Sequence, residues 1–352
     1  MEYLGFALFA FIMAVLTTPM VRYLARKVGA MDIPRPPRNL HAAPVAKLGG
    51  LAVYISIALG ILIYVFAGNI DPTVVPFKFV WATLLGGLVL MIGGFLDDKY
   101  DLPPQILWIF PALAALIVVW SGIGVGIKFL SNPFGDPINI DFFIGSIPAS
   151  AILIFAWLLG MMFTTKFLDG LDGLVAGIGL IAGLTLFALS LTDTVNQPIT
   201  ASFAIILVGA LAGYLLYAFH PATIFLGEGG STLIGFMLGV LSVILGGKIA
   251  TALLVMGIPI LDVAWVIMQR LWFRRSPFRG DRLHIHFKLI DLGFTQRQTA
   301  IALYALSAGF GFAAVFLQSM GKLVALGILF GIMGALVVGV LYAYKKKKST
   351  VN

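Results

Sequence analysis

The stretch from Val80 to Lys99, VWATLLGGLVLMIGGFLDDK, carries no charge until Asp97, and then two carboxylates side by side. An apolar run of about this length is what a helix needs to cross the hydrocarbon of a bilayer. Ending it in Asp97-Asp98-Lys99 is electrostatically unfavourable. Adjacent carboxylates repel each other, and the C-terminal end of a helix prefers cations. The segment therefore predicts a membrane-spanning helix and, at its end, a site where a cation, a metal or a proton holds the two acids. Mg²⁺ would suit such a site, because it takes oxygen ligands from a few carboxylates, phosphates and water.

Similar apolar runs lie on either side. They fall near 2–22, 48–67, 104–123, 147–163, 173–192, 198–218, 231–246, 248–268, 299–318 and 322–344. With 79–96 they predict an all-α polytopic membrane protein of about eleven transmembrane helices. Composition agrees: 60% of the 352 residues are hydrophobic and 11% are charged, too few charges to cover a soluble protein of this size. The chain reads as one integral-membrane domain, 1–352, with a basic tail at 345–352. Glu2 precedes the first run where a signal peptide would have basic residues, so that run is expected to be retained. The absence of Cys removes disulfides and thiolate metal sites. The net charge of +8 is that of basic topogenic loops rather than of a nucleic-acid binder.

An odd number of spans places the termini on opposite sides. With Lys345, Lys346, Lys347 and Lys348 cytoplasmic and the N-terminus outside, only Lys78, Lys128, Lys248 and Lys322 fall outside, as the positive-inside rule asks. The tail then either anchors to anionic membrane lipids or acts only as a topogenic signal. All four His and most acids sort to the cytoplasmic side without having been used to set it. Outside, Ile127–Leu130 and Ile138–Phe142 flank Asn-Pro-Phe-Gly-Asp-Pro and predict a small β-hairpin near 127–142.

Three further cytoplasmic clusters join Asp97 and Asp98. In Lys166-Phe-Leu-Asp169-Gly-Leu-Asp172-Gly, the two acids are three apart and share a face of a helical turn, with Lys166 in the same row. Asp172 is also suited to cap the following helix. In His220-Pro-Ala-Thr-Ile-Phe225-Leu-Gly-Glu228-Gly-Gly-Ser231, a Gly-rich turn before a helix start offers backbone N–H groups to an anion, unless it is only a flexible loop with an N-cap. The loop at about 269–298 is basic and holds His284-Ile285-His286, whose alternation turns both rings the same way in an extended segment. Its Arg282, and Arg38, His41 and Lys47 of the first loop, are candidates to clamp phosphates. A transporter would put its polar groups near the bilayer midplane rather than at helix ends. A lipid-binding scaffold would leave the carboxylates without a task. The inventory fits a soluble phosphate compound meeting a lipid.

These motifs resemble the polyprenyl-phosphate N-acetylhexosamine-1-phosphate transferases (glycosyltransferase 4 family). The resemblance runs from Leu48-Gly49-Gly50 through Asp97-Asp98, Asp169–Leu174, Phe225–Ser231 and Asp262 to Asp281-Arg-Leu-His-Ile-His286. The interrupted histidine pair is similar to the WecA/TagO branch; the MraY branch has three consecutive histidines, and a phospho-MurNAc-pentapeptide transferase is the alternative activity. The resemblance implies transfer of N-acetylhexosamine-1-phosphate, GlcNAc-1-phosphate first, from a UDP-sugar to undecaprenyl phosphate. UMP is released and Mg²⁺ assists, with Mn²⁺ as an alternative. That would be the first membrane step of a cell-envelope glycan such as teichoic acid or lipopolysaccharide, at the cytoplasmic face of a bacterial inner membrane, by a chain that in this family is commonly a homodimer. It further implies Asp97 and Asp98 as catalytic. Lys166, Asp169, Asp172, Phe225, Arg282, His284 and His286 are implied at the nucleotide sugar, and Arg38, His41 and Lys47 at the lipid phosphate or diphosphate. Glu228, Asp97 and Asp172 are implied at the metal. Two positions depart from the family pattern: Lys166 stands where Asn is usual, and Glu228 where Asp is usual.

Overall fold

The computed structural model of the chain describes residues 2–34, 43–130, 132, 135–244, 248–274, 283–317 and 319–349. Arg38, His41 and Arg282 lie outside them. Each apolar run of the sequence is helical. The order is α1 (Glu2–Val28), β1 (Met31–Asp32), β2 (Val45–Ala46), α2 (Gly49–Phe66), α3 (Phe77–Tyr100), α4 (Pro104–Leu107) and α5 (Ile109–Ser121). There follow β3 (Phe129–Leu130), β4 (Ile138–Asn139), β5 (Phe143–Ile144), β6 (Ile147–Pro148), α6 (Ala149–Leu168), α7 (Leu174–Ser190), α8 (Pro198–Ala218) and α9 (Gly227–Ile244). The chain ends with α10 (Ile249–Val255), α11 (Gly257–Trp272), α12 (Ile285–Leu292), α13 (Gln296–Phe316) and α14 (Ser319–Ser349).

Among the described residues, eight helices or continuous helix pairs are long and apolar enough to cross a bilayer, and α7 and the Met320–Leu336 part of α14 are shorter apolar stretches. The protein is a polytopic helical membrane protein. One predicted span is corrected. The run 248–268 is not a single rod, because α10 and α11 meet at an 80° bend. Pro259 lacks an N–H and fits a helix without loss only in its first turn, so a new helix starts at Gly257.

The fold is arranged around α9, whose residues from Gly229 to Val243 are all buried. It packs chiefly on α6 and α3, while α8 packs on α1 and α7, and α13 packs on α7. In contrast, α1 shows Leu4, Leu8, Ile12, Leu16 and Met20 at its surface, the helical spacing of a lipid-facing stripe. The expected hairpin pairing forms: β3 pairs antiparallel with β4, and Lys128 lies 3.0 Å from Asp141 beside it. Two further two-stranded ribbons, β1–β2 and β5–β6, carry no clear signal in the sequence because each strand has only two residues. Only the first of these matters for the site.

Candidate active site

Three helices meet backbone to backbone at one end of the bundle. A Cβ added to Gly50 of α2 would collide with Gly230 of α9, and one added to Gly94 of α3 would collide with Gly229. Glycine is required at these positions because the main chains themselves are in contact. The segment before α2 is then laced to the segment before α9. Phe225 N–H donates to Ala46 O, Gly49 N–H to Phe225 O and Gly50 N–H to Leu226 O, each at 2.8 Å.

This lacing brings Lys47 to the end of α3, where its Nζ lies 3.8 Å from Asp98 Oδ1. Asp98 is buried, and the backbone N–H of Glu228 approaches the same oxygen at 3.4 Å. The carboxylate thus faces the N-terminus of α9, which favours negative charge. Gly227 is in the left-handed region (φ 73°), and a Cβ there would strike the Asp98 carboxylate. Its neighbour Asp97 is turned differently: it accepts the Leu102 N–H at 3.1 Å and secures the chain as it leaves α3. The adjacent acids therefore have separate surroundings.

The turn between α6 and α7 supplies the next groups. Lys166, in the last turn of α6, forms an ion pair of 2.6 Å with Glu228, and both side chains are largely buried. The two departures from the family pattern are thus in contact with each other. Asp169 ends α6 and is open to the cleft. Enclosure by the surrounding protein, and then the like charges of Glu228, Asp98 and Asp172, push its carboxyl above the usual range. Asp172 does not cap α7, whose N-cap is Gly173. It holds the 220–222 turn instead, accepting the Ala222 N–H at 3.0 Å and lying 2.6 Å from His220 Nδ1. Arg297 Nε donates to His220 O at 2.9 Å, from a helix whose start is set by the Thr295–Gln298 capping box.

His284 is held by α11. Asp262 Oδ2 lies 2.8 Å from His284 Nδ1, and Asp262 Oδ1 accepts the Ile285 N–H at 2.9 Å. One carboxylate thereby orients the imidazole and anchors the first turn of α12. The expected extended His-x-His is corrected here. His284 is extended, but His286 is already helical. The rings nonetheless stack, with centroids 5.6 Å apart and planes 7° from parallel, and Phe167 continues the column over His284. A Cβ on Gly170 would strike His286, so the column abuts the Asp169–Asp172 turn. Phe225 lies half-buried in the laced segment.

The structure thus brings Lys47, Asp97, Asp98, Lys166, Asp169, Asp172, Phe225, Glu228, His284 and His286 to one end of the bundle. Sequence reasoning assigned no role to Asp262 or His220. A lone acid within the apolar run 248–268 was the available signal for Asp262. The three residues implied at the metal each have a partner in the structure. Asp97 holds Leu102, Asp172 holds His220 and Glu228 holds Lys166. Among the described residues, no group of three or more acidic or histidine side chains is placed to hold a metal ion.

Comparison with known proteins places this arrangement. The model of glycosyl transferase family 4 matches residues 80–246. A probable undecaprenyl-phosphate N-acetylglucosaminyl 1-phosphate transferase of Bacillus subtilis (strain 168) is 29% identical over 331 residues, 91% of this chain and 87% of the relative. A decaprenyl-phosphate N-acetylglucosaminephosphotransferase of Mycobacterium tuberculosis (strain H37Rv) is 32% identical over 325 residues, 84% of this chain and 77% of the relative. The chain belongs to glycosyl transferase family 4. An undecaprenyl-phosphate alpha-N-acetylglucosaminyl 1-phosphate transferase of Escherichia coli (strain K12) is also similar, at 28% identity over 89% of this chain and 81% of the relative. The segment matched by the family 4 model runs from α3 to just past α9. It includes both Asp97-Asp98 and the Lys166–Glu228 pair.

Proposed function

We propose that the protein transfers N-acetylhexosamine-1-phosphate, most simply GlcNAc-1-phosphate, from a UDP-sugar to a polyprenyl phosphate such as undecaprenyl phosphate. The names of its relatives support the acceptor and the sugar. One geometric observation carries the assignment to this site. Two lysine–carboxylate pairs, Lys47–Asp98 and Lys166–Glu228, stand together at the N-terminus of α9, beside a histidine column held by Asp262.

A lipid phosphate oxygen attacks the β-phosphorus of the donor. A new P–O bond forms there, the bond from that phosphorus to the oxygen bridging to the α-phosphorus breaks, and UMP leaves with that oxygen. A phosphate monoester has a second pKa of about 6, so the lipid phosphate is largely dianionic at neutral pH and needs little help from a base. The harder task is to bring two anions together. Lys47, held by Asp98, presents an ammonium to the lipid phosphate, and the N-terminus of α9 adds positive potential. Asp98 takes up the proton of a monoanionic phosphate. His284, oriented by Asp262, and His286 serve the donor diphosphate, while Phe225 offers a face for the uracil. The lysine-rich ends are read as cytoplasmic, which puts the site on the inner face of a bacterial cytoplasmic membrane.

The test uses detergent-solubilised protein, undecaprenyl phosphate and a panel of UDP-sugars, with UMP and lipid-linked product measured together. Stoichiometric UMP and diphosphate-linked lipid from one donor is the expected result. No UMP from any donor would overturn the proposal and reopen the scaffold and transport readings.

A further inference from the structure

We propose that Lys166 is the resident cation of the Glu228 carboxylate, so that Glu228 is not a metal ligand in this chain. The inference rests on the reading of this cluster as the transfer site, but it concerns which charge occupies it.

The 2.6 Å contact is between two largely buried groups, with side-chain exposures of 22% for Lys166 and 15% for Glu228. Their geometry is set by packed backbones rather than by chance meeting of mobile side chains. Lys166 stands in the last turn of α6 and Glu228 in the first turn of α9, and these helices are among the most extensively packed pairs of the fold. A Cβ on Gly235 of α9 would strike Met161 O of α6, so the helices are in close contact within two turns of the pair. The Lys166 ammonium also lies 5.9 Å from the centre of the Phe163 ring on its own helix, a second attraction for a cation at that place.

A divalent ion bound to Glu228 would have to take an oxygen that now holds an ammonium, and would then stand beside that ammonium in a poorly solvated site. Like charges so placed oppose each other strongly. The other two acids expected at the metal already have partners. Asp97 and Asp172 are engaged with Leu102 and His220, and the described residues contain no ligand group of three or more. The positive charge is instead built into α6. The ammonium has three donors and no vacant coordination position. Two of those donors remain for an anion in the cleft, so the chemical class that suits this position is a phosphate oxygen rather than a metal-bound water.

A nucleotide diphosphate carries divalent ions on its own phosphates, so turnover with and without metal does not isolate the protein's ligands. The test is Mn²⁺ binding to the substrate-free, full-length protein in detergent, followed by electron paramagnetic resonance of the free ion. Wild-type protein and Glu228→Gln are expected to bind Mn²⁺ alike. Lys166→Asn is expected to gain affinity by about tenfold or more, and Lys166→Asn/Glu228→Gln to lose that gain. Lys166→Arg, which keeps the cation, is expected to match wild type. Should Lys166→Asn not fold, Lys166→Gln takes its place, and the wild-type against Glu228→Gln comparison stands regardless. Wild-type Mn²⁺ binding that Glu228→Gln weakens tenfold would overturn the proposal, as would a Lys166→Asn variant that gains nothing. Neither result depends on UMP release, so failure of this inference and failure of the transfer reaction are read separately.

Discussion

Lys47 Nζ lies 3.8 Å from Asp98 Oδ1, joining the segment before α2 to the last turn of α3. The pair exists because the 45–50 segment is hydrogen-bonded to the 224–227 segment, which carries Lys47 across the bundle end. Asp98→Asn should therefore do two things: leave Lys47 without its counter-charge, and remove the proton acceptor. The expected loss is about 10²- to 10⁴-fold in kcat, measured as UMP release. Asp97→Asn keeps an oxygen to accept the Leu102 N–H and should lose less. Equal losses for the two variants would contradict their separate placement.

Gly227→Ala tests the same carboxylate from the opposite side. The new Cβ meets Asp98 and must also adopt a left-handed backbone. Strain of roughly 1–3 kcal/mol is expected, together with loss of transfer. Thermal unfolding in detergent, followed in parallel with turnover, checks both. A fully active variant would show that Asp98 need not occupy its present position.

Lys166→Ala should raise the KM for the UDP-sugar and leave the KM for the lipid phosphate nearly unchanged, since the freed donors of Lys166 are assigned to the donor phosphates. It should also destabilise the protein by about 3–5 kcal/mol, because Glu228 would keep its burial and lose its partner. An unchanged donor KM would remove Lys166 from the nucleotide-sugar site.

Asp262→Asn retains an acceptor for the Ile285 N–H but no longer carries the charge that orients His284. The expectation is a fall in kcat of about tenfold or more with little change in unfolding temperature. Loss of folding without any change in the specific activity of the folded fraction would make Asp262 a purely structural anchor of α12.

The pH dependence of stability gives a test at Asp169. Its carboxyl is raised by enclosure and by Glu228, Asp98 and Asp172, so the folded protein holds a proton that the unfolded chain has released. Stability from this group is present below the usual carboxylate range and is lost as pH rises toward the raised value. Asp169→Asn should flatten that slope and make the protein more stable at neutral pH. A steeper slope in the variant would reverse the sign and exclude the crowding of acids as its cause.

Much of the fold was legible because hydropathy reports burial in lipid or protein, and every apolar run is helical. The 80° bend between α10 and α11 was not, since Gly257-Ile258-Pro259 is as apolar as its surroundings and a hydropathy window has no sense of direction. At the site, the acids, lysines and histidines could be named from their type and from the side on which they sort. Their partners could not. Asp172 does not cap α7 and lies beside His220, from a segment far away in the chain. The metal expectation for Glu228 came from the resemblance to the family, and the sequence alone did not show that Lys166 lies 2.6 Å from it. The His-x-His alternation suggested a strand, but Asp262 captures the Ile285 N–H and starts a helix between the two rings.

The contact of α2, α3 and α9 has a consequence for how this sequence can evolve. At Gly50, Gly94, Gly229 and Gly230 no side chain can be added without parting two main chains. Variation has to pass around them, at positions such as Lys47, Lys166 and Glu228, where a charge and its partner have to change together. The molecule divides into a frame closed to new side chains at four glycines and a set of paired charges around it.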